Sequence, residues 1–321
     1  MKFIILGALL CAAQVFANPG MDSMNVNWGQ DKIQVASAWN QGIKGAGVLI
    51  GLVDSNMNYQ HPQLRQSLAV NEAEFNGRPG VDDDRNGYVD DIYGWDFVNF
   101  RPPSTYSIHT THLAGIMVAD SSQGRIQGIA PEAKLVQAIF LDQGNSGRIA
   151  DAVMAIRYVI NRGAKIVNMS WGGAPYVQEF YDVIAQHPDV LFVTAAGNDG
   201  YDLGRFPSYP ASFHLPNMIV VGASNVLDQY PSWSNYGALV DIVAPGVGVY
   251  STGPRNDYVV MDGTNIATPF VSGAAALLWS HKPTATVAEI KAALLAGVDV
   301  GNFPVSSQGR LNVAKALANL K

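Results

Sequence analysis

Short apolar runs alternating with longer helical patterns constrain this chain most. Residues 47–53 (GVLIGLV), 135–140, 166–169, 190–194 and 218–221 are near-continuous stretches of β-branched and other apolar residues. That is the pattern of strands buried on both faces, as in a parallel sheet. Residues 147–162 carry Ile149, Val153, Ile156 and Ile160 at helical spacing, and residues 176–186, 267–280, 287–295 and 311–320 also read as helices. Strand–helix alternation predicts an α/β fold with a mostly parallel central sheet and helices on both faces. The chain has 321 residues, 48% apolar and 14% charged, which supports one large core and excludes disorder. Residues 75–101 break the pattern: they are polar and rich in Gly and Asp, and read as an insertion after the first strand.

The net charge is −6, so no nucleic-acid or anionic-membrane partner is expected. Residues 1–17 (MKFIILGALLCAAQVFA) have the form of a signal peptide: Lys2, an apolar stretch to Ala13, then Val15-Phe16-Ala17 as a small-x-small cleavage site. The only cysteine, Cys11, lies inside it, so the mature chain has neither thiol nor disulfide. No later segment is apolar for long enough to span a bilayer. The expectation is export to the periplasm or the medium, a short segment at 18–27 with no room for a prodomain, and one folded domain over 28–321.

In open parallel sheets, sites form beyond the carboxyl ends of the strands. Asp54 directly follows the first strand, and a carboxylate there caps a turn or serves a site. His109 precedes an apolar helical pattern, and facing Asp54 it would form the pair that general-base catalysis needs. In GTNIATPFVSGAAALL, a Gly-Thr turn enters a helix and places Asn265 at its N-terminus, where backbone N–H groups favour negative charge. In TAAGNDG a strand ends in small residues, and Asn198 projects an amide donor suited to an oxyanion.

Together these segments resemble the subtilisin-like serine proteases, the subtilase family. The order Asp, His, nucleophile is that family's, and the match runs from about Trp28 to Leu317. VDSNMNYQHPQL carries Asp54 at the triad Asp, His109-Thr110-Thr111-His112 carries His109 at the triad His, and Asn198 matches the oxyanion donor. Ser170-Trp171-Gly172 in NMSWGG looks like the strand that pairs with substrate backbone, while YPASF, SNYG and VAPG are further landmarks in order. The resemblance implies a subtilisin-like three-layer fold, serine endopeptidase activity and an extended peptide or protein ligand.

The chain departs from the family at the decisive place. Asn265 stands where the family has serine, and an amide nitrogen is not a nucleophile because its lone pair is delocalised. Asn56 and Thr110 replace family glycines beside the other triad members, and local remodelling at Thr110 is expected because a β-branched residue tolerates the left-handed region badly. The expectation is an exported subtilase homologue that lacks ordinary peptidase activity and keeps peptide binding. An active subtilisin-like serine endopeptidase, through a different nucleophile or with a residue other than Asn265 native at that position, and a calcium-stabilised structural scaffold stay open as alternatives. Trp171 and Tyr230 are candidates for subsite lining.

GVDDDRNGYVDDIYGWDF has D-x-[DN]-x-[DN]-G spacing at Asp82, Asp84, Asn86 and Gly87, with Tyr88 and Asp90 at later ligand positions. It also resembles the Asp-rich insertions of some subtilases. The expected ion is calcium, with a stabilising role.

Overall fold

The computed structural model describes residues 26–104 and 106–320. The signal-peptide segment, Cys11 and most of the segment at 18–27 lie outside these residues.

The chain opens with two short helices, α1 (Trp28–Lys32) and α2 (Ala36–Trp39), before β1 (Leu49–Asp54). A one-turn helix α3 (Glu72–Phe75) leads into the polar insertion, which ends in β2 (Gly94–Asp96). Then follow α4 (Ile108–Val118), β3 (Lys134–Ile139), α5 (Ile149–Asn161), β4 (Ile166–Met169), α6 (Gln178–Ala185), β5 (Leu191–Ala195) and β6 (Met218–Ser224). The last third holds β7 (Ile242–Pro245), the pair β8 (Val249–Thr252) and β9 (Tyr258–Met261), α7 (Thr264–His281), α8 (Val287–Ala296), β10 (Asp299–Val300), β11 (Gly309–Arg310) and α9 (Val313–Asn319).

The main sheet has the order β10-β11-β7-β6-β5-β4-β1-β3-β2, and every neighbouring pair is parallel except β10–β11. β8 and β9 form a separate antiparallel ribbon. The apolar runs are the central strands, and they are buried almost without interruption. One face is covered by α4 and α7, through residues such as Leu113, Ile116, Ile266 and Phe270. The other is covered by α5 and α6, through Val153, Ile156, Phe180 and Val183. This is the three-layer α/β fold expected from the alternation.

Two details differ from the sequence pattern. The insertion is not wholly outside the sheet, because β2 adds an edge strand beside β3. It can do so because Gly94, at φ 130°, lets Gln137 O approach to where a Cβ would stand. The long helix begins at Thr264 rather than 267, so Asn265 is in its first turn. Gly263 precedes it at φ 147°, a conformation that favours glycine.

Candidate active site

Three chain segments meet above the carboxyl end of the sheet. Asp54 is the last residue of β1 and is fully buried. His109 is the second residue of α4, whose N-cap Ser107 accepts the His109 backbone N–H at 3.1 Å. Asn265 is the second residue of α7. Short polar caps and the Gly263 turn aim all three inward, which is why residues 55 and 156 positions apart in sequence touch.

His109 Nδ1 lies 2.9 Å from Asp54 Oδ1. Its Nε2 lies 2.8 Å from Asn265 Nδ2. Asn265 Oδ1 accepts from Asn198 Nδ2 at 3.2 Å, and Asn198 Oδ1 accepts from Thr264 N at 2.9 Å and Thr264 Oγ1 at 2.8 Å. One assignment of protons satisfies the whole row: Nδ1–H donates to the carboxylate, Nε2 accepts from the Asn265 amide, and the Asn265 carbonyl takes the Asn198 amide. The carboxamide of Asn265 thus lies between the imidazole and the amide donor. Among the described residues the group facing Nε2 is this amide, which is not a nucleophile. Thr268, one turn further along α7, donates to Thr264 O at 2.8 Å and is fully buried.

Asp54 Oδ1 is crowded. Besides His109 it accepts from Ser55 N at 2.7 Å, Thr110 Oγ1 at 2.8 Å and Ser55 Oγ at 3.2 Å. Thr110 is helical and its hydroxyl lies on the carboxylate, and neither Thr110 nor Asn56 has a positive φ. The expected backbone remodelling at Thr110 is therefore corrected: α4 starts early enough to place it in the first turn, where a β-branched side chain is tolerated. His112, one turn on, is fully buried with Nε2 at 2.9 Å from Val249 O. Burial pushes its pKa down to about 3.

Ser170-Trp171-Gly172 follows β4 past the end of the sheet, and Gly173 N donates to Ser208 Oγ at 3.1 Å. Ser170 is fixed from below: Asn168 Nδ2 donates to Ser170 Oγ at 2.9 Å, and Ser272 Oγ donates to Asn168 Oδ1 at 2.8 Å. Trp171 does not line a subsite. It is 4% exposed, donates to Val53 O at 2.7 Å and packs between Phe140 and Phe180. Tyr230 is structural too, donating to Asn235 O. A cavity of about 340 Å³ with a mixed polar and apolar lining adjoins the site, reached among others by Ser55, Asn56, Ser107, Ile139 and Leu141.

In the acidic insertion, carboxylate oxygens of Glu74, Asp84 and Asp91 all lie within 4.8 Å of one another. Asn71 Nδ2 reaches Asp84 at 2.8 Å and Asp91 at 2.6 Å, and Asn86 Nδ2 reaches both at 3.1 Å. Asp91 is fully buried, and burial raises its pKa against the opposing pull of Tyr158, Asn71, Arg162 and Asn86. The predicted loop residues divide. Asp84 and Asn86 are in the cluster, whereas Asp82 accepts from Asn86 N and Gly87 N, and Asp90 from Gly80 N. Both are engaged by backbone N–H groups of the loop. The Tyr88 ring packs on Trp95, Phe97 and Tyr158. Sequence spacing missed Glu74 and Asn71, which come from α3 and its N-cap outside the motif; the repeated acid at 91 was the only signal for Asp91.

A parallel sheet with an Asp–His pair and an amide donor at its carboxyl end is the arrangement of a hydrolase of the subtilisin type. The family comparison agrees: the model described as the subtilase family matches residues 45–309, and the chain belongs to that family. It is 33% identical over 297 residues to Thermitase of Thermoactinomyces vulgaris, covering 90% of this chain and 95% of that one. It is 33% identical over 267 residues to the major intracellular serine protease of Bacillus subtilis, covering 81% and 77%. Against subtilisin-like protease 1 of Plasmodium vivax it is 32% identical over 291 residues, covering 83% of this chain but 46% of that protein. Among the described residues no helix is long and apolar enough to cross a membrane.

Proposed function

We propose that this chain is an exported subtilase that binds extended peptides in its cleft and does not hydrolyse them by the serine mechanism. One observation carries the reading. The Asn265 carboxamide stands between His109 Nε2 at 2.8 Å and Asn198 Nδ2 at 3.2 Å, where attack requires a hydroxyl. The carboxamide nitrogen has no lone pair to give, and its oxygen occupies the donor that would stabilise an oxyanion. The segment 170–172, anchored through Asn168 and Ser272, supports strand-like pairing with a peptide. Export rests on the sequence of residues 1–17.

The test is incubation of purified protein with a broad peptide library and with a fluorophosphonate probe. The expected result is neither cleavage nor labelling. Robust labelling that is lost in His109→Ala would refute it.

We also propose that the acidic insertion holds calcium. The donors suit a hard cation: carboxylates of Glu74, Asp84 and Asp91 converge, and rotation of the Asn71 and Asn86 amides would add neutral oxygens. Asp91 is ion-paired with Arg162 Nη1 at 3.4 Å, one positive charge against three converging carboxylates, so further positive charge is called for. A bound cation would supply that charge and tie the insertion to α5 through Tyr158, which donates to Asp91 at 2.6 Å.

A further inference from the structure

The Asn265 side chain is itself an amide, and it is held as a hydrolase holds the amide it cuts. Its carbonyl oxygen accepts from Asn198 Nδ2 at 3.2 Å, and its nitrogen lies 2.8 Å from His109 Nε2. The first contact is where an amide donor steadies a developing oxyanion, and the second is where a general acid delivers a proton to a leaving nitrogen. Asp54, 2.9 Å from Nδ1, orients His109 for this work. Asn265 is only half-buried, so water reaches it. The usual route by which asparagine loses its amide is closed here. That route needs the following backbone nitrogen to attack the side-chain carbonyl, and Ile266 N donates instead to Gly263 O at 3.1 Å. Ile266 is also fully buried and β-branched, which stiffens it against the rearrangement.

We propose that the site hydrolyses its own residue 265, turning the carboxamide into a carboxylic acid and releasing ammonia. Water adds to Cγ, its proton passes to His109 Nε2, and the oxygen of the tetrahedral adduct stays on Asn198 Nδ2. Once Cγ is tetrahedral, Nδ2 regains the lone pair that conjugation had withheld. It takes the proton back from Nε2, the Cγ–Nδ2 bond breaks, and ammonia leaves. One asparagine and one water become one aspartic acid and one ammonia, and His109 ends as it began. Asn265 is thus a single-turnover substrate of the Asp54–His109 pair, a role that does not depend on peptide binding in the cleft.

The experiment incubates the full mature chain in heavy-oxygen water at neutral pH, and mass spectrometry follows the peptide that carries residue 265. A short synthetic Asn-Gly peptide in the same tube, which converts through the cyclic route, serves as the clock. The expected result is conversion of residue 265 to aspartate with one heavy oxygen and no isoaspartate, because direct hydrolysis has no cyclic intermediate. His109→Ala is expected to slow this by about 100-fold or more, the ordinary worth of general acid–base catalysis. Asp54→Asn, which keeps the ring and removes the carboxylate that orients it, is expected to slow it likewise. A carboxamide intact at 265 after the clock peptide has converted overturns the proposal. So does isoaspartate at 265, or a rate that neither variant changes. Conversion already complete on purification supports the proposal where the variants retain the carboxamide, and overturns it where they do not. Fluorophosphonate labelling reads the peptidase question separately.

Discussion

Replacing Asn265 with serine asks whether a hydroxyl is all that the site lacks. The change withdraws the amide oxygen from Asn198 Nδ2 and the amide nitrogen from His109 Nε2, and sets a hydroxyl beside a ring whose other nitrogen is 2.9 Å from Asp54. Removing the nucleophile from a complete triad costs roughly 10⁶ in turnover, which sets the ceiling for restoring it. Two features lower that ceiling. The hydroxyls of Thr110 and Ser55 share Asp54 Oδ1 with His109. Each competing hydroxyl is taken to weaken the pull of the carboxylate on His109 by ~1 kcal/mol, or about fivefold in rate. Asn265→Ser is therefore expected to raise kcat/KM between about 10⁴- and 10⁵-fold over the parent. The assay is a chromogenic peptide library, with fluorophosphonate labelling as an independent readout. Adding Thr110→Val, which keeps the shape and deletes the hydroxyl, is expected to gain about fivefold more. A folded Asn265→Ser protein with an unchanged unfolding temperature, yet neither turnover nor labelling, would refute the reasoning.

Calcium at a hundred times its Kd should raise the unfolding free energy by about 2.7 kcal/mol, and EDTA should remove that gain; an unfolding temperature indifferent to both, and to Asp84→Asn, overturns the cation site. His112, with its pKa depressed to about 3, stays neutral in the fold while the unfolded chain takes up a proton below its ordinary value of 6.5. Stability should thus fall as pH drops from 6.5 toward 3, by on the order of 5 kcal/mol across that window, and His112→Gln should flatten this acid limb in pH-dependent denaturant titrations. An unchanged limb would place the acid sensitivity elsewhere. Trp171→Ala should cost about 3–5 kcal/mol, because it empties a buried site between Phe140 and Phe180. A loss under about 1 kcal/mol in urea denaturation would contradict the packing described.

The sheet was legible because two-sided burial writes itself as uninterrupted apolar runs, and residues 166–169 matched β4 to the residue. The short strands toward the two ends of the sheet were not. β2, β10 and β11 are two or three residues each and lie in polar or mixed sequence, where pairing depends on the neighbour and not on the segment. The residues of the Asp54–His109–Asn265–Asn198 row could be named from their motifs, since each sits where a strand or helix ends. Thr110 was misread for a physical reason. Its motif position suggested a glycine-like backbone, whereas α4 already contains it and its hydroxyl serves Asp54. Trp171 was misread because a residue beyond a strand end can turn its side chain under the sheet as readily as over it. The acidic loop was half legible: spacing located it, but its buried members come from α3 and from the repeated acid, and only the fold brings those together.

The row of amides gives Asn265 a meaning that its sequence position does not. In this proton assignment His109, oriented by Asp54, offers a lone pair at Nε2, and Asn198, oriented by Thr264, offers an N–H. A side chain that lies between them must donate on one side and accept on the other. Alanine or leucine would leave both groups unmatched, at about 1–3 kcal/mol for each one buried. Aspartate would set an oxygen against a lone pair. Serine can donate to the imidazole, but is too short to give Asn198 an oxygen as well. Asparagine meets both demands, at 2.8 Å and 3.2 Å. Asparagine at 265 thus leaves these polar groups paired, and that pairing keeps the Asp–His geometry assembled.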